Sequence, residues 1–101
     1  MAVALQLLTA SDFQSQVGKE VFILFSNNNT VTAQLEKVVN LPAYNNQERK
    51  PFSILLQTAQ KDHYYQQAIY TIEQPALGGM QIFLVPVGCN EKGMQYEAVF
   101  T

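Results

Sequence analysis

Apolar and polar residues alternate along most of this chain with a period of two, in short stretches separated by turn-forming segments. Such alternation is typical of β-strands that turn one face toward a core. In the last stretch, Met94, Tyr96, Ala98 and Phe100 occupy every second position, and we expect the last three of them to point inward. The predicted strands cover residues 20–25, 30–41, 51–58, 66–73, 81–87 and 94–100.

Two of the predicted strands contain irregularities. The apolar phase of 30–41 slips at 37–39, which indicates a β-bulge. Pro86 has no backbone N–H to donate, so its place near the end of 81–87 predicts either a sheet edge or a bulge.

The longest apolar runs lie in the segments 51–58 and 81–87. Continuous apolar runs bounded by turn residues are typical of deeply buried strands. We therefore expect 81–87 to be the most buried strand, with Phe52 and Phe83 both in the common core.

Glycine-containing turns separate the last three strands. The segment 75–79 contains Gly78 and Gly79, and we expect a turn that needs a positive φ there. The segment 90–93 fits a type I turn that ends with Gly93 in the left-handed region.

A short helix is predicted before the first strand. Thr9 can cap it, and Asp12 lies near the positive end of its dipole. Phe13 and Val17 are four residues apart, so they share a face that can plug an opening in the sheet. The helix proper, of about two turns, is expected at 12–17.

These elements predict an all-β fold, namely a small antiparallel barrel or rolled sheet of about six strands with one short N-terminal helix. Twisted strands tend to curl and close, because closure removes exposed edges. A length of 101 residues predicts one domain, 1–101, which can bury a core without disulfides or metals.

The composition predicts a surface with few charges. Only 14% of the residues are charged and the net charge is −2, while twelve Gln and seven Asn supply polar surface. A pI near 5.2 argues against nucleic-acid and anionic-membrane binding, since both need basic surface. Weak charge tolerates assembly because neighbouring copies repel little, although an ordinary soluble surface explains the same composition equally well.

Features that decide the cellular compartment are few. Residues 1–8 are apolar, but they include no Lys or Arg and are too short for a signal peptide. No apolar run approaches the ~18 residues of a membrane span. Cys89 is the single cysteine, which excludes an internal disulfide. We expect a cytoplasmic protein, unless it leaves the cell inside an assembly.

Residues that could carry chemistry are scattered along the chain. His63 and Cys89 fall in different turns, so we expect no nucleophilic pair. We interpret His63 as an exposed turn residue and Cys89 as a half-buried small side chain. The eight acidic residues are far apart, and no His or Cys cluster has metal-ligand spacing. The sequence predicts no catalytic, cofactor-binding or metal-binding residue, and hence no cofactor.

Polar loops and tyrosines are the predicted partner-binding positions. Binding residues concentrate in loops on a rigid sheet, and the longest polar stretches are 26–30 and 41–50. Tyr44 is the best single anchor, because aromatic side chains dominate interface energetics. Tyr64 and Tyr65 suit an interface, but alternation equally allows one of them to pack on the core while the other faces water. The candidate set is Asn27, Asn28, Asn29, Tyr44, Asn45, Asn46, Tyr64 and Tyr65.

An ordered set of motifs resembles one protein family over nearly the whole chain. The motifs are LTASDF at 8–13, VG at 17–18, F at 22, PFSILL at 51–56, QAIY at 67–70, LG at 77–78, FLVPVG at 83–88 and YEAVF at 96–100. They resemble short bacterial and phage-associated β-barrel proteins that carry only a domain-of-unknown-function label. The resemblance implies a small barrel with a structural or assembly role, in a phage or phage-like particle such as a tail, and it supplies no catalytic residues.

Two functions follow from these observations as hypotheses. The first is a non-enzymatic structural or protein-interaction module, an accessory or assembly component of a phage or phage-tail-like particle, bound to another protein or to further copies of itself. The alternative is a small-molecule-binding β-barrel in the bacterial cytoplasm, with its ligand at a barrel mouth because side chains fill a six-stranded interior. A cavity above about 300 Å³ favours the alternative, and a large symmetric contact favours the first.

Overall fold

All six predicted strands are present in the computed structural model, which describes residues 8–26, 29–42 and 51–100. Their boundaries differ from the predicted ones by a few residues, most at the strand that continues past Val87 to Asn90. In chain order the elements are α1 (Ala10–Gln14), β1 (Glu20–Ser26), β2 (Asn29–Asn40), β3 (Phe52–Gln57), β4 (Ala68–Gln74), β5 (Gly78–Asn90) and β6 (Gly93–Phe100).

The strands close into a barrel in the order β1-β2-β3-β6-β5-β4, and each neighbouring pair is antiparallel. β6 lies between β3 and β5, so the last strand in sequence completes two ladders at once. The ladder that closes the barrel, between β1 and β4, is short and pairs Phe22 with Glu73, Ile23 with Ile72 and Leu24 with Thr71. The predicted fold class is confirmed.

Side chains fill the interior of the barrel. Phe52, Ile23, Leu84 and Tyr96 are fully buried, and Ala98 and Phe100 point inward as predicted. The buried apolar residues are Leu8, Phe13, Val21, Ile23, Phe25, Ala33, Leu35, Phe52, Ile54, Leu56, Ile72, Met80, Ile82, Leu84, Tyr96, Ala98 and Phe100. The core is one continuous cluster.

The prediction that Phe83 lies in this core is wrong. Its side chain is 50% exposed, whereas its neighbours Ile82 and Leu84 are buried. Successive side chains of a strand point to opposite faces, so only one of the two apolar phases of β5 can face the interior. For the same reason β5 is not the most buried strand; in β3 only Leu55 escapes full burial.

The helix α1 closes one end of the barrel, as predicted. The ring of Phe13 lies 5.7 Å from the ring of Phe52 and 5.2 Å from that of Phe100, between ring centroids. The helix starts earlier and is shorter than predicted. Thr9 is its N-cap, and the backbone N–H of Thr9 donates to Asp12 Oδ2 at 2.8 Å.

Two register shifts lie at or next to the predicted positions, and the sequence does not predict a third. The β2–β3 register shifts between Leu35 and Lys37, just before the predicted 37–39, and the β5–β6 register shifts between Pro86 and Gly88, at the predicted bulge. The third shift lies in the β1–β2 ladder, between Leu24 and Ser26. Pro86 pairs with β6, but the pairing of β5 with β4 ends at Leu84, so the missing N–H of proline interrupts no β4 pair.

Candidate functional site

The outer face of β5 is apolar. The strand has no charged residue along its whole length, and apolar side chains occupy both of its phases. Since Ile82 and Leu84 occupy the core, the other phase carries Phe83, Val85 and Val87 to the outside. Phe83 and Val87 are about half exposed, and Val85 is partly covered.

Neighbouring strands extend this apolar surface on both sides. Ile69 of β4 pairs directly with Phe83 and is 66% exposed. On the other side, Val85 pairs with Glu97 of β6, which is the last pair of that ladder. Val99, two residues further along β6 in the same outward phase, is 56% exposed. We call this surface the β5 face; it consists of Ile69, Phe83, Val85, Val87 and Val99.

The size of the β5 face sets it apart from scattered surface apolar residues. The exposed parts of its five side chains add up to an apolar area on the order of 450 Å², in the range where patches on monomeric proteins are often functional. Two carboxylates lie at its margins, Glu97 on β6 and Glu73 on β4. The arrangement suits contact with another apolar protein surface.

The tyrosine pair predicted to bind partners divides between core and solvent. Tyr65 stacks on Phe25 with 4.2 Å between the ring centroids and an angle of 7° between the ring planes. Its backbone N–H donates to the Tyr96 hydroxyl at 2.9 Å, and that hydroxyl donates to Gln60 Oε1 at 2.8 Å. Tyr64, by contrast, is 61% exposed. The expected alternation, with one tyrosine packed on the core and the other facing water, is confirmed. Whether this pair takes part in an interface stays a prediction.

The environment of this aromatic cluster keeps its buried hydroxyl neutral. Burial raises the pKa of Tyr96 above the usual 10.0, while the hydrogen bond from the Tyr65 N–H acts in the opposite direction. Burial also raises the pKa of Tyr70, with a smaller contribution from nearby Tyr65. These tyrosines therefore act as packing and hydrogen-bonding groups that close the second end of the barrel.

The remaining predicted binding residues are only partly described. Asn29 begins β2, and its side-chain N–H donates to the Tyr65 hydroxyl, so the structure brings these two candidates together. That contact attaches the start of β2 to the aromatic cluster. Asn27, Asn28, Tyr44, Asn45 and Asn46 lie outside the described residues.

The candidate binding residues that the sequence pattern does not indicate are those of the β5 face. The uninterrupted apolar run of β5 exceeds what one face of a strand can bury. The run predicts the most buried strand of the sheet. A strand of a small closed barrel has only one inner face, so half of the run had to point outward.

A cluster of three amide side chains, Gln57, Asn90 and Gln95, links the β5–β6 turn to β3. Gln57 is buried, and its Oε1 accepts from Asn90 Nδ2 and from Gln95 Nε2, both at 2.9 Å. Its Nε2 donates to the backbone carbonyl of Gly93 at 3.1 Å. Asn90 Oδ1 in turn accepts from the backbone N–H of Gly93 at 3.0 Å. These bonds satisfy the buried amide and attach the β5–β6 turn to the end of β3.

The two residues considered for nucleophilic chemistry are both on the surface. His63 is exposed as predicted, and its Nε2 lies 3.2 Å from Gln60 Nε2. Cys89 is exposed and not half-buried, which corrects the prediction. Cys89 lies after the register shift between Pro86 and Gly88 and one residue pair before the β5–β6 turn. Beyond that shift, the alternation of β5 no longer predicts which side chains face the core.

A shallow groove lies on the outer surface between β1 and the β4–β5 turn. Its volume is about 340 Å³, and it is lined by Phe22, Glu73, Gln74, Pro75, Gly78 and Gly79. A second groove of about 270 Å³ adjoins it on the other side of Phe22, toward Lys19 and Glu20. Both grooves lie outside the filled interior of the barrel.

The described ranges 8–26, 29–42 and 51–100 contain neither a metal-ligand cluster nor a membrane-spanning helix. No group of three or more His, Cys, Asp or Glu side chains is placed to hold a metal ion in this part of the chain. No helix in these ranges is long and apolar enough to cross a membrane.

Comparison with known proteins identifies one family. No curated protein and no solved structure matches the chain significantly. A family profile described as a domain of unknown function (DUF6916) matches residues 8–100. The motif resemblance described above is thus confirmed as far as the family label. Because the match spans far more than half of the sequence, the chain belongs to the DUF6916 family.

Proposed function

We propose that this protein is a non-enzymatic protein-interaction module that binds its partner through the β5 face. The observation that supports the proposal is the exposure of Ile69, Phe83, Val87 and Val99 on one side of a closed barrel. Covering an apolar area of about 450 Å² gains on the order of 10 kcal/mol before the cost of association is subtracted.

The barrel also lowers the cost of binding. Phe83 and the valines of the β5 face are held on strands of a closed barrel. Valine has one rotatable side-chain bond and phenylalanine two, so little side-chain entropy is lost when they are covered. A preorganised surface of this kind loses less of its burial energy to ordering when it binds.

The proposed setting is a phage or phage-tail-like particle, in which the protein is an accessory or assembly component. The support for this setting is the motif resemblance to phage-associated barrels, together with the charge-poor composition that lets copies pack closely. A particle component needs a rigid scaffold and a covered face, and it needs no chemistry of its own.

Sedimentation tests the proposed function. In a gradient of lysate from cells that produce such particles, the wild-type protein is expected to sediment with the particles. Val99→Gln places an amide in the β5 face and should move most of the protein to the low-mass fractions. Val39→Gln is the matched control, because Val39 is an exposed valine of β2 outside the β5 face, and it should sediment like wild type. A wild-type protein found only in the low-mass fractions would contradict the particle setting.

The groove beside Phe22 supports a second candidate, a small-molecule-binding barrel. Its volume of about 340 Å³ reaches the lower end of the range for ligand pockets. On this alternative, native mass spectrometry of the protein purified from its own cells should show a reproducible small adduct, which Phe22→Ala removes and Val39→Gln retains. Absence of the adduct from the wild-type protein contradicts the candidate.

A further inference from the structure

We infer that the β5 face binds a second copy of this chain in a two-fold symmetric contact. The inference rests on the proposed function, since it names the partner of the same surface. It follows from the charge pattern of the face, from its area and from its position on the barrel.

The charge pattern favours a second copy over a different partner. In a two-fold contact the same patch occurs on both sides, so any charge near the axis meets a like charge. Ile69 and Phe83, a cross-strand pair, form the centre of the face and are uncharged, as is the whole of β5. The net charge of −2 per chain adds little long-range repulsion between copies. The face can therefore lie against itself without electrostatic penalty.

The area of the face is close to what such a contact requires. A standard interface buries about 800 Å² per partner, and about 65% of a homodimer interface is apolar. The apolar share is thus about 500 Å² per copy, compared with about 450 Å² for the β5 face. The surrounding polar side chains Gln81 and Thr71 can supply the rim.

The position of the face defines how the two copies meet. Ile69 and Phe83 form one row across β4 and β5. A two-fold axis along this row places Phe83 opposite Phe83 of the partner subunit. The β5 strands of the two barrels then run antiparallel. Glu97 lies off the axis, because it pairs with Val85, two residues along β5 from Phe83, so it does not face its own copy.

The mass of the purified protein tests the inference first. At about 100 μM, a contact of this size is expected to give twice the chain mass of 11.3 kDa by sedimentation equilibrium. Phe83→Lys and Phe83→Glu should each give the mass of one chain, because each places like charges on the axis. Phe83 is half exposed, so both variants should stay folded and unfold cooperatively. Val39→Lys, which lies outside the face, should leave the doubled mass unchanged.

Mixing the two charge variants tests the two-fold axis itself. Phe83→Lys mixed with Phe83→Glu at low salt should restore a species of doubled mass that contains one copy of each, identified by native mass spectrometry. Only a contact in which position 83 meets position 83 predicts this recovery. If either variant unfolds, Val99→Gln alone should still reduce the fraction of dimer.

The outcomes separate this inference from the proposed function. If the wild-type protein stays at 11.3 kDa, the inference that a second copy is the partner is wrong. The inference is also wrong if the mass is doubled but neither Phe83→Lys nor Val99→Gln changes it. If Val99→Gln still releases such a monomeric protein from particles, the β5 face binds a different partner and the proposed function stands.

Discussion

At the scale of single residues, burial and not residue type decides what each phenylalanine contributes. Phe52 is fully buried and stacks on Phe100 with 4.7 Å between ring centroids, while Phe83 lies on the outer surface. Both residues are in apolar runs of similar appearance in the sequence. Their substitution therefore separates a core position from a binding position.

We expect Phe52→Ala to lower the free energy of unfolding by about 3–5 kcal/mol, because it leaves a cavity in the core. Phe83→Ala removes a half-exposed ring and should cost less than about 1 kcal/mol. Urea unfolding of both variants, at a concentration where the protein is monomeric, measures the difference. Similar losses at the two positions would contradict the inward and outward assignments.

Two glycines with positive φ allow backbone strain to be separated from close packing. Gly18 has a φ of +87° and no atom within 4 Å of an added Cβ, whereas at Gly93, with a φ of +142°, an added Cβ lies 2.5 Å from the Thr58 carbonyl oxygen. Gly18→Ala should cost about 1–2 kcal/mol through backbone strain alone. Gly93→Ala should cost at least about 3 kcal/mol, because the β5–β6 turn must also move away from β3.

Unfolding in urea checks this ordering, with Gly18→Ala as the control for strain. The β5–β6 turn is held against the segment after β3 by the Met94 N–H, which donates to the Gln60 carbonyl at 2.7 Å. That bond should be lost or lengthened in Gly93→Ala, which hydrogen exchange at Met94 can detect. Equal costs at the two glycines would show that the close approach to Thr58 does not contribute.

At the scale of elements, β6 is the strand on which closure depends. It pairs with β3 through residues 95–100 and with β5 through residues 93–97. Its inward residues Tyr96, Ala98 and Phe100 are all buried. The helix α1 also depends on it, since Phe13 packs on Phe100. A barrel without this strand is an open sheet with two free edges.

Removal of residues 97–101 is expected to make the protein aggregate, because it removes four of the six pairs between β3 and β6 and uncovers Phe52. Light scattering and the soluble fraction after expression measure this. Val99→Gln is the control, since it changes an outward residue of the same strand without removing a ladder. A truncated protein that stays soluble and unfolds cooperatively would contradict the dependence of the barrel on β6.

At the scale of the whole molecule, the closed barrel divides the chain into an interior and an outer surface with different roles. The interior is filled by one apolar cluster, and the two ends are covered by α1 and by the aromatic cluster around Tyr65. The proposed binding therefore involves the outer surface. The proposed contact through the β5 face uses that surface without opening the barrel.

Much of the architecture could be predicted because it depends on local pattern. Alternation located all six strands, the loss of phase and Pro86 located two register shifts, and Phe13 identified the helix face that closes the barrel. These features follow from the two-residue alternation of side chains in a strand and from the missing N–H of proline. Both effects act over only a few residues.

The binding surface could not be predicted because it depends on which phase of β5 meets the core. Ile82 and Phe83 are equally apolar, and alternation states only that they point to opposite sides. The same holds for Cys89, for Tyr65 and for Gln57, whose surroundings are supplied by distant strands. The sequence by itself determined the strands, their inner-outer period and the tendency to close. Only the tertiary structure decided which apolar phase became core and which became the β5 face, because that choice depends on contacts between residues far apart in the chain.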